Sequence, residues 1–300
     1  MSSPDDQDFI SGYVAIAGKP NVGKSTLLNK LLNYPLSIVT PRPQTTRHKL
    51  LGILSEDNYQ VIFLDTPGLM VPRYTLQKLM LKAAWSAIEE ADLVLLMIEP
   101  SPDQFDEQPY VLERLSSAGK RVCLVINKID LIPKPDLLPV IATSAERFDF
   151  EEIVPVSALH ADGLKKLKQV ILSRLPRQPP FYPPGELTDR PQRFFAGEII
   201  RQKVFEQFGE EIPYSVAVSV EEYKEREGSK DYIKALIVCE RESQKGMLIG
   251  KRGEAIKRLG RTARDDIEAL TGRSVFLELR VEVVRKWRKE EERIRRLGQV

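Results

Sequence analysis

The chain has little of what disulfide, metal and imidazole chemistry require: its 300 residues include two cysteines and two histidines. Cys123 and Cys239 each lie inside an apolar, strand-like run, which suits buried reduced thiols better than a disulfide or a metal site. His48 and His160 have no nearby partner set for metal or triad chemistry, so both read as ordinary side chains. Long hydrophobic runs are missing too, and none approaches the ~20 apolar residues of a membrane-spanning helix. The acidic start from Met1 to Asp8 lacks the basic and apolar regions of a signal peptide, so the expectation is a cytoplasmic protein. Neither sign of charge is in excess: 45 basic against 43 acidic residues leave a net +2, which selects no partner for the chain as a whole.

What is present is a soluble, globular composition, 42% hydrophobic and 29% charged, long enough for about two domains. The first half is organised around Gly18-Lys19-Pro20-Asn21-Val22-Gly23-Lys24-Ser25. An apolar stretch at 13–17 reads as a buried strand before it, and 26–32 reads as a helix after it, which is the setting a phosphate-binding loop needs. The glycines allow a tight turn that converges backbone N–H groups and the helix N-terminus on phosphate oxygens. Lys24 would bring its charge to the β- and γ-phosphates and Ser25 its hydroxyl to magnesium, with Val22 and Thr26 completing the nucleotide contacts. The proline-containing stretch 33–49 reads as a functional loop. Thr46, with Thr45 as its rival, could supply a second magnesium ligand and sense the γ-phosphate through its N–H.

Strands at 50–54 and 59–64 follow, and the second ends in Asp65-Thr66-Pro67-Gly68. Asp65 is placed to hold magnesium through water, and Gly68 to present a bare N–H to the γ-phosphate. A helix at 76–90 and a buried strand at 93–98 lead on to a strand that ends in Asn127-Lys128-Ile129-Asp130. The Asp130 carboxylate can accept from both N1–H and the 2-amino group of guanine, donors that adenine lacks. Asn127 would brace the base and the Lys128 stem cover the ring. Backbone N–H groups of Ser157-Ala158-Leu159 could meet guanine O6.

In that order, GKPNVGKS, DTPG, NKID and SAL resemble the translation-factor class of small GTPases across about residues 10–175. The resemblance implies an α/β fold, a mostly parallel sheet with helices on both faces and nucleotide at the carboxyl ends of its strands. It also implies GTP and GDP as ligands, Mg2+ held by Ser25, Thr46 and Asp65, and hydrolysis served by Asn21, Lys24, Thr46 and Gly68. Many such proteins place a water-orienting glutamine after the glycine; Leu69 cannot hydrogen-bond, so unaided hydrolysis should be slow. Similar proteins with asparagine at the position of Asn21 hold potassium against the phosphates, which makes K+ a second candidate cofactor.

After a helix at 163–175, Pro176, Pro179, Pro180, Pro183, Pro184 and Pro191 mark 176–191 as a semi-rigid linker. The remainder, 192–300, reads as helix 194–208, strands 214–220 and 232–239, helix 255–270, strand 275–283 and a solvated, ion-paired helix 284–297. Ile249-Gly250-Lys251-Arg252-Gly253 enters the second of those helices, and 245–264 carry seven basic residues, among them Lys257, Arg258 and Arg261, against the single acid Glu254. A Gly-x-x-Gly turn lets the chain approach a nucleic-acid backbone closely. This order resembles an α+β KH domain of bacterial topology, with a groove lined by Ile249, Ile256 and the 233–238 strand. A GTPase domain joined to one such KH domain resembles the Era family of ribosome-assembly GTPases. That resemblance implies binding near the 3′ end of 16S ribosomal RNA during small-subunit maturation, favoured by GTP. The alternatives are a protein-docking second domain and a regulator weakly associated with the cytoplasmic membrane surface.

Overall fold

A strand buried on both faces reads as an unbroken apolar run, and such runs build the first half of the chain. The computed structural model describes residues 8–40, 42, 44–101, 109–209 and 211–299. The acidic residues 1–7, and Pro41 and Pro43 of the loop, lie outside these. By internal contacts the chain forms two units. The first gathers the chain up to Ser37, Thr46–Pro72 and Met80–Asp189; the second gathers Ile38–Thr45, Arg73–Leu79 and the chain from Arg190 on.

The first unit runs β1 (Ile10–Gly18), α1 (Lys24–Leu32), β2 (Leu50–Glu56), β3 (Tyr59–Asp65), α2 (Thr75–Glu90, counted with this unit from Met80 on), β4 (Leu93–Ile98), α3 (Pro109–Ser117), β5 (Val122–Ile126), α4 (Lys134–Arg147), β6 (Glu152–Pro155) and α5 (Leu164–Arg174). Its sheet has the order β2-β3-β1-β4-β5-β6, with only the β2–β3 pair antiparallel. Ala15, Ala17, Val94, Leu96, Leu124 and Ile126 form one face and pack under Trp85 and Ile88 of α2, Leu115 of α3 and Val140 of α4. The residues of opposite parity, Val14, Ile16, Leu95, Met97, Cys123 and Val125, are equally buried, as are Leu27, Leu28, Leu167 and Ile171 of α1 and α5. Each strand therefore delivers its C-terminal residue from a fixed position.

Residues 176–189 do not hang free as a tether. Ile10 bridges Arg177, the Ser11 hydroxyl donates to the Pro179 carbonyl at 2.8 Å, and the Gln60 amide oxygen accepts from the N–H groups of Phe181 (2.8 Å) and Tyr182 (2.9 Å). Farther on, Ile53 N–H donates to the Leu187 carbonyl at 2.8 Å.

The second unit contains α6 (Gln192–Gln207), α7 (Ile212–Ser215), β7 (Ala217–Lys224), β8 (Asp231–Cys239), α8 (Glu242–Ile249), α9 (Glu254–Thr271), β9 (Val275–Val283) and α10 (Glu291–Arg296). Its sheet is ordered β7-β8-β9, with β8–β9 parallel. Ile200 and Val204 of α6, Leu259, Ala263 and Ile267 of α9, and Ile233, Ala235 and Ile237 of β8 share its core.

Two expectations are corrected here. Residues 214–215 close the short helix α7, started by Pro213 in its first turn, so the strand begins at Ala217. The stretch 284–297 is not one solvated helix: Lys286 adopts φ 58°, Glu290 is extended, and Trp287 and Ile294 are buried. Trp287 Nε1–H donates to the Ser215 carbonyl at 2.8 Å, and this anchorage breaks the helical run. The expected ion pairs persist within α10, where Arg295 meets Glu291 at 2.7 Å.

Candidate functional site

The phosphate loop joins β1 to α1 with Gly18 at φ 144°, Asn21 at φ 67° and Gly23 at φ 98°. A Cβ on Gly18 would collide with the Met97 carbonyl oxygen, and one on Gly23 with the Asn127 side-chain amide. Both glycines are therefore set by close packing as well as by backbone angle. Gly68 is equally constrained, since a Cβ there would come within 2.7 Å of Pro20. Leu69 is buried, and its N–H donates to the Gly18 carbonyl at 3.0 Å, tying the end of the Asp-Thr-Pro-Gly turn to the phosphate loop.

Lys24, Val22, Ser25 and Thr26 lie in or beside the first turn of α1. Lys24 is buried; its Nζ donates to the carbonyls of Gly18 (3.1 Å) and Lys19 (2.8 Å). Burial lowers its pKa to about 8, with the nearby Asp65 carboxylate opposing that shift. A cation held against its own loop's carbonyls lacks a full counter-charge, which an anionic ligand would supply.

The three residues expected to share a magnesium ion come together. Ser25 Oγ donates to Asp65 Oδ2 at 2.9 Å and lies 3.0 Å from Thr46 Oγ1, which in turn reaches Asp65 Oδ2 at 3.4 Å. Of the two rival threonines, Thr46 is the one whose hydroxyl enters this cluster. Asp65 Oδ1 is buried and has no hydrogen-bond partner among the described residues. Burial raises the Asp65 pKa against the opposing influence of Lys24 and the three hydroxyls. An orphaned carboxylate oxygen beside two hydroxyls is a hard oxygen set that fits Mg2+. No group of three or more His, Cys, Asp or Glu side chains able to hold a metal occurs among the described residues.

Sequence reasoning missed Ser37. Its hydroxyl donates to Asp65 Oδ2 at 2.8 Å, while the Asn29 side chain bonds both its N–H and its carbonyl, each at 2.8 Å. Nothing local in the sequence marks a contact that spans 28 residues.

At the base-reading end, Asn127 Nδ2 donates to the Val22 carbonyl at 2.8 Å and Asn127 Oδ1 accepts from Ala158 N–H at 2.9 Å. One side chain thus links the phosphate loop to the Ser-Ala-Leu segment. Ser157 N–H donates to the Asp162 carbonyl at 3.0 Å, so two of the three expected amides are already engaged and Leu159 holds the third. Lys128 adopts φ 65° and pairs with Glu99. Asp130 keeps its carboxyl below the ordinary range, first through the Ser157 hydroxyl.

In the second unit the Gly-x-x-Gly turn lies between α8 and α9, with Gly250 at φ 73°, Arg252 at φ 54° and Gly253 at φ 78°. Ile249 is half-buried, and Lys251 and Arg252 are exposed. Sequence reasoning missed α8, because its eight residues bury only Gln244 and Leu248 and show no apolar stripe. Beside the turn runs a groove of about 350 Å3. Lys257 and Arg261 line it together with Ile256 and Val275, Phe276, Leu277 and Leu279 of β9. Arg258 projects from the same helix and donates through Nε to Gln207 at 3.3 Å. The expected wall at 233–238 is corrected: β8 is the central strand, bonded on both edges, and β9 forms the wall. Ile249 is likewise absent from the groove lining.

Comparison with known proteins yields two family matches, a 50S ribosome-binding GTPase over residues 13–128 and a KH domain over residues 211–288. GTPase Era of Geotalea uraniireducens is 45% identical over 293 residues, covering 98% of this chain and 99% of that protein. The chain belongs to the Era family of GTPases. Era of Lacticaseibacillus paracasei is 42% identical over 288 residues, 96% of each chain. Among solved structures, an Era in complex with MgGDPNP and nucleotides 1506–1542 of 16S ribosomal RNA is 40% identical. It superposes with a TM-score of 0.94 over 97% of this chain and 99% of its own. A variant of Aquifex aeolicus Era bound to GDP.AlF4- gives a TM-score of 0.93 at 40% identity, over 97% of this chain and 100% of its own. As an Era-family member the chain is a GTPase with a KH domain, and Ser25, Asp65 and Asn127 all lie within the segment that matches the GTPase family.

Proposed function

We propose that the chain is a cytoplasmic GTP-driven switch whose second unit binds single-stranded RNA near the 3′ end of 16S ribosomal RNA during small-subunit maturation. The observation that carries this reading is the near-complete match to the Era held with MgGDPNP and nucleotides 1506–1542 of that RNA. The basic Gly-x-x-Gly turn beside an apolar-floored groove supports it, because such a groove takes single-stranded bases while the turn meets the backbone.

In this reading Lys24 turns its ammonium from the Gly18 and Lys19 carbonyls to the phosphates, joined by the N–H groups at the start of α1. Ser25, Thr46 and Asp65 would hold Mg2+, which when bound neutralises charge on the β- and γ-phosphate oxygens. Ser37 and its Asn29 clamp keep the Asp65 carboxylate oriented. Asp130, held ionised by Ser157, accepts both guanine donors. The N–H groups of Thr46 and Gly68 meet the γ-phosphate and order their loops; hydrolysis removes those contacts and the loops relax. Leu69 is buried and apolar and cannot orient water, so turnover alone is slow. Asn21, exposed at φ 67°, would hold potassium against the phosphates. Faster hydrolysis in potassium than in sodium, lost in Asn21→Ala, is expected; equal rates in the two salts would remove potassium from the scheme.

The deciding experiment compares affinity for RNA 1506–1542 in the GDPNP-bound and GDP-bound protein. A preference of roughly tenfold for GDPNP is expected, in the ordinary range of allosteric coupling. Equal affinities would end the switch, because a ligand without differential affinity shifts nothing.

A further inference from the structure

The edge of the groove carries a feature that charge and the Gly-x-x-Gly turn leave unused. Phe276 of β9 is 55% exposed. It lies opposite Tyr232 of β8 in the parallel register, and the two rings are stacked, with centroids 6.0 Å apart and planes 13° from parallel. Tyr232 is fixed from its own side. Its hydroxyl donates to Glu278 Oε2 at 2.8 Å, and the Arg226 guanidinium lies 5.2 Å from its ring centroid.

Because β9 is the edge strand, Tyr232 occupies the inboard face of the Phe276 ring and the other face looks outward past the sheet. Strand alternation puts Phe276 with Tyr232 on the sheet face opposite Val275, Leu277 and Leu279, at the rim of the groove that Lys230, Arg261 and Arg264 also line; the acid beside it, Glu278, is engaged by the Tyr232 hydroxyl. A ligand that suits both features carries negative charge and a flat π-face at nucleotide spacing. An acidic peptide meets the charge but leaves the ring unused.

We propose that Phe276, backed by Tyr232, is a stacking platform for one unpaired base of a single-stranded RNA at the β9 end of the groove, beyond the bases that the Gly-x-x-Gly side holds. This rests on the RNA-binding reading above and adds a recognition element to it. Stacking tolerates any base, so the platform fixes where the strand leaves the groove rather than which base leaves it.

The test measures binding of RNA 1506–1542 to the full-length protein with GDPNP, comparing wild type, Phe276→Ala, Phe276→Trp and Lys251→Asp/Arg252→Asp across a salt series. Phe276→Ala should bind about tenfold more weakly with an unchanged salt slope, since a stacking contact releases no counterions. Phe276→Trp should restore or improve binding. With 2-aminopurine placed singly along the RNA, one position should be quenched on wild type and relieved on Phe276→Ala. Tight wild-type binding that the Lys251/Arg252 variant loses but Phe276→Ala keeps would overturn the platform alone. An RNA that no form binds would overturn the RNA reading and the platform with it. Phe276 packs no core, so GTP hydrolysis and thermal midpoint should match wild type and serve as the folding control.

Discussion

The two units hold their functional groups in opposite ways. In the first, Lys24, Asp65 and Asn127 are buried and each is hydrogen-bonded within the phosphate loop or to a residue in or beside it. In the second, Lys251, Arg252, Lys257 and Arg261 are exposed, and the built part is a turn and an edge strand. A nucleotide is small and must be read atom by atom, so its site needs preorganised, desolvated groups. An RNA strand offers many equivalent phosphates, and a field of mobile cations on a rigid groove suffices.

The sharpest break of this contrast is at Asp130. Asp130→Asn keeps the shape but loses a double acceptor, and GTP affinity should fall by about 10⁴-fold; xanthosine triphosphate, whose C2 carbonyl accepts from the new amide, should recover part of it. Titration calorimetry with both nucleotides checks this, and an unchanged preference for GTP would show that the base is read elsewhere.

Glycine substitutions compare the two turns directly. Gly18→Ala meets the Met97 carbonyl at φ 144° and should cost about 3 kcal/mol or more along with nucleotide binding. Gly253→Ala has φ 78° but nothing within 4 Å, so backbone strain alone, about 1 kcal/mol, is expected. Thermal midpoints of the nucleotide-free protein should separate the two; similar losses would contradict the packing account of the phosphate loop.

For the exposed cations, Lys251→Asp/Arg252→Asp should weaken RNA binding and flatten its salt dependence by about 0.7 in slope for each phosphate contact removed, leaving GTP hydrolysis without RNA unchanged. A steep slope retained in the variant would move the contacts elsewhere on the unit.

The smallest expected effect is a pH dependence. Lys24 has its folded pKa lowered to about 8 by burial, so the free protein carries the ammonium below that pH and loses it above. Phosphate binding uses the charged form. GDP affinity should therefore be level below pH 8 and fall above it, by up to tenfold per pH unit, with uptake of up to one proton on binding at pH 9. For folding the sign is reversed: charging the buried amine costs stability fully below about pH 8, and the cost is relieved as pH rises toward the unfolded value. Calorimetry in two buffers of different ionisation enthalpy measures the proton uptake; none at pH 9 would mean that the ammonium does not meet phosphate.

The same contrast explains what could be read before the fold was known. Gly18 to Ser25, Asp65 to Gly68 and Asn127 to Asp130 are legible because buried chemistry admits few residue types and strand ends fix their order. Ser37 and Asn29 were not, because a hydroxyl bonded across the fold leaves no local pattern. In the second unit the basic turn was legible as charge, but the groove wall was assigned to β8 because an apolar alternation does not say which strand is the edge. Helix α8 escaped because it buries too little, and the broken helix after 283 because Trp287 and Ile294 are held by tertiary contacts that override helical spacing.

The anchored stretch 176–189 has a consequence for solubility. Strand β2 is the outer strand of the first sheet and would otherwise present its backbone donors to any passing chain, and Leu187 takes one of them from Ile53. Prolines 176, 179, 180, 183 and 184 carry no N–H, so the stretch that leads to Leu187 is itself a poor template for another strand. Cutting the chain after α5 would do more than detach the KH domain: it would release the Ile53 N–H at the outer edge of β2, and the truncated unit is expected to aggregate more readily than the whole chain.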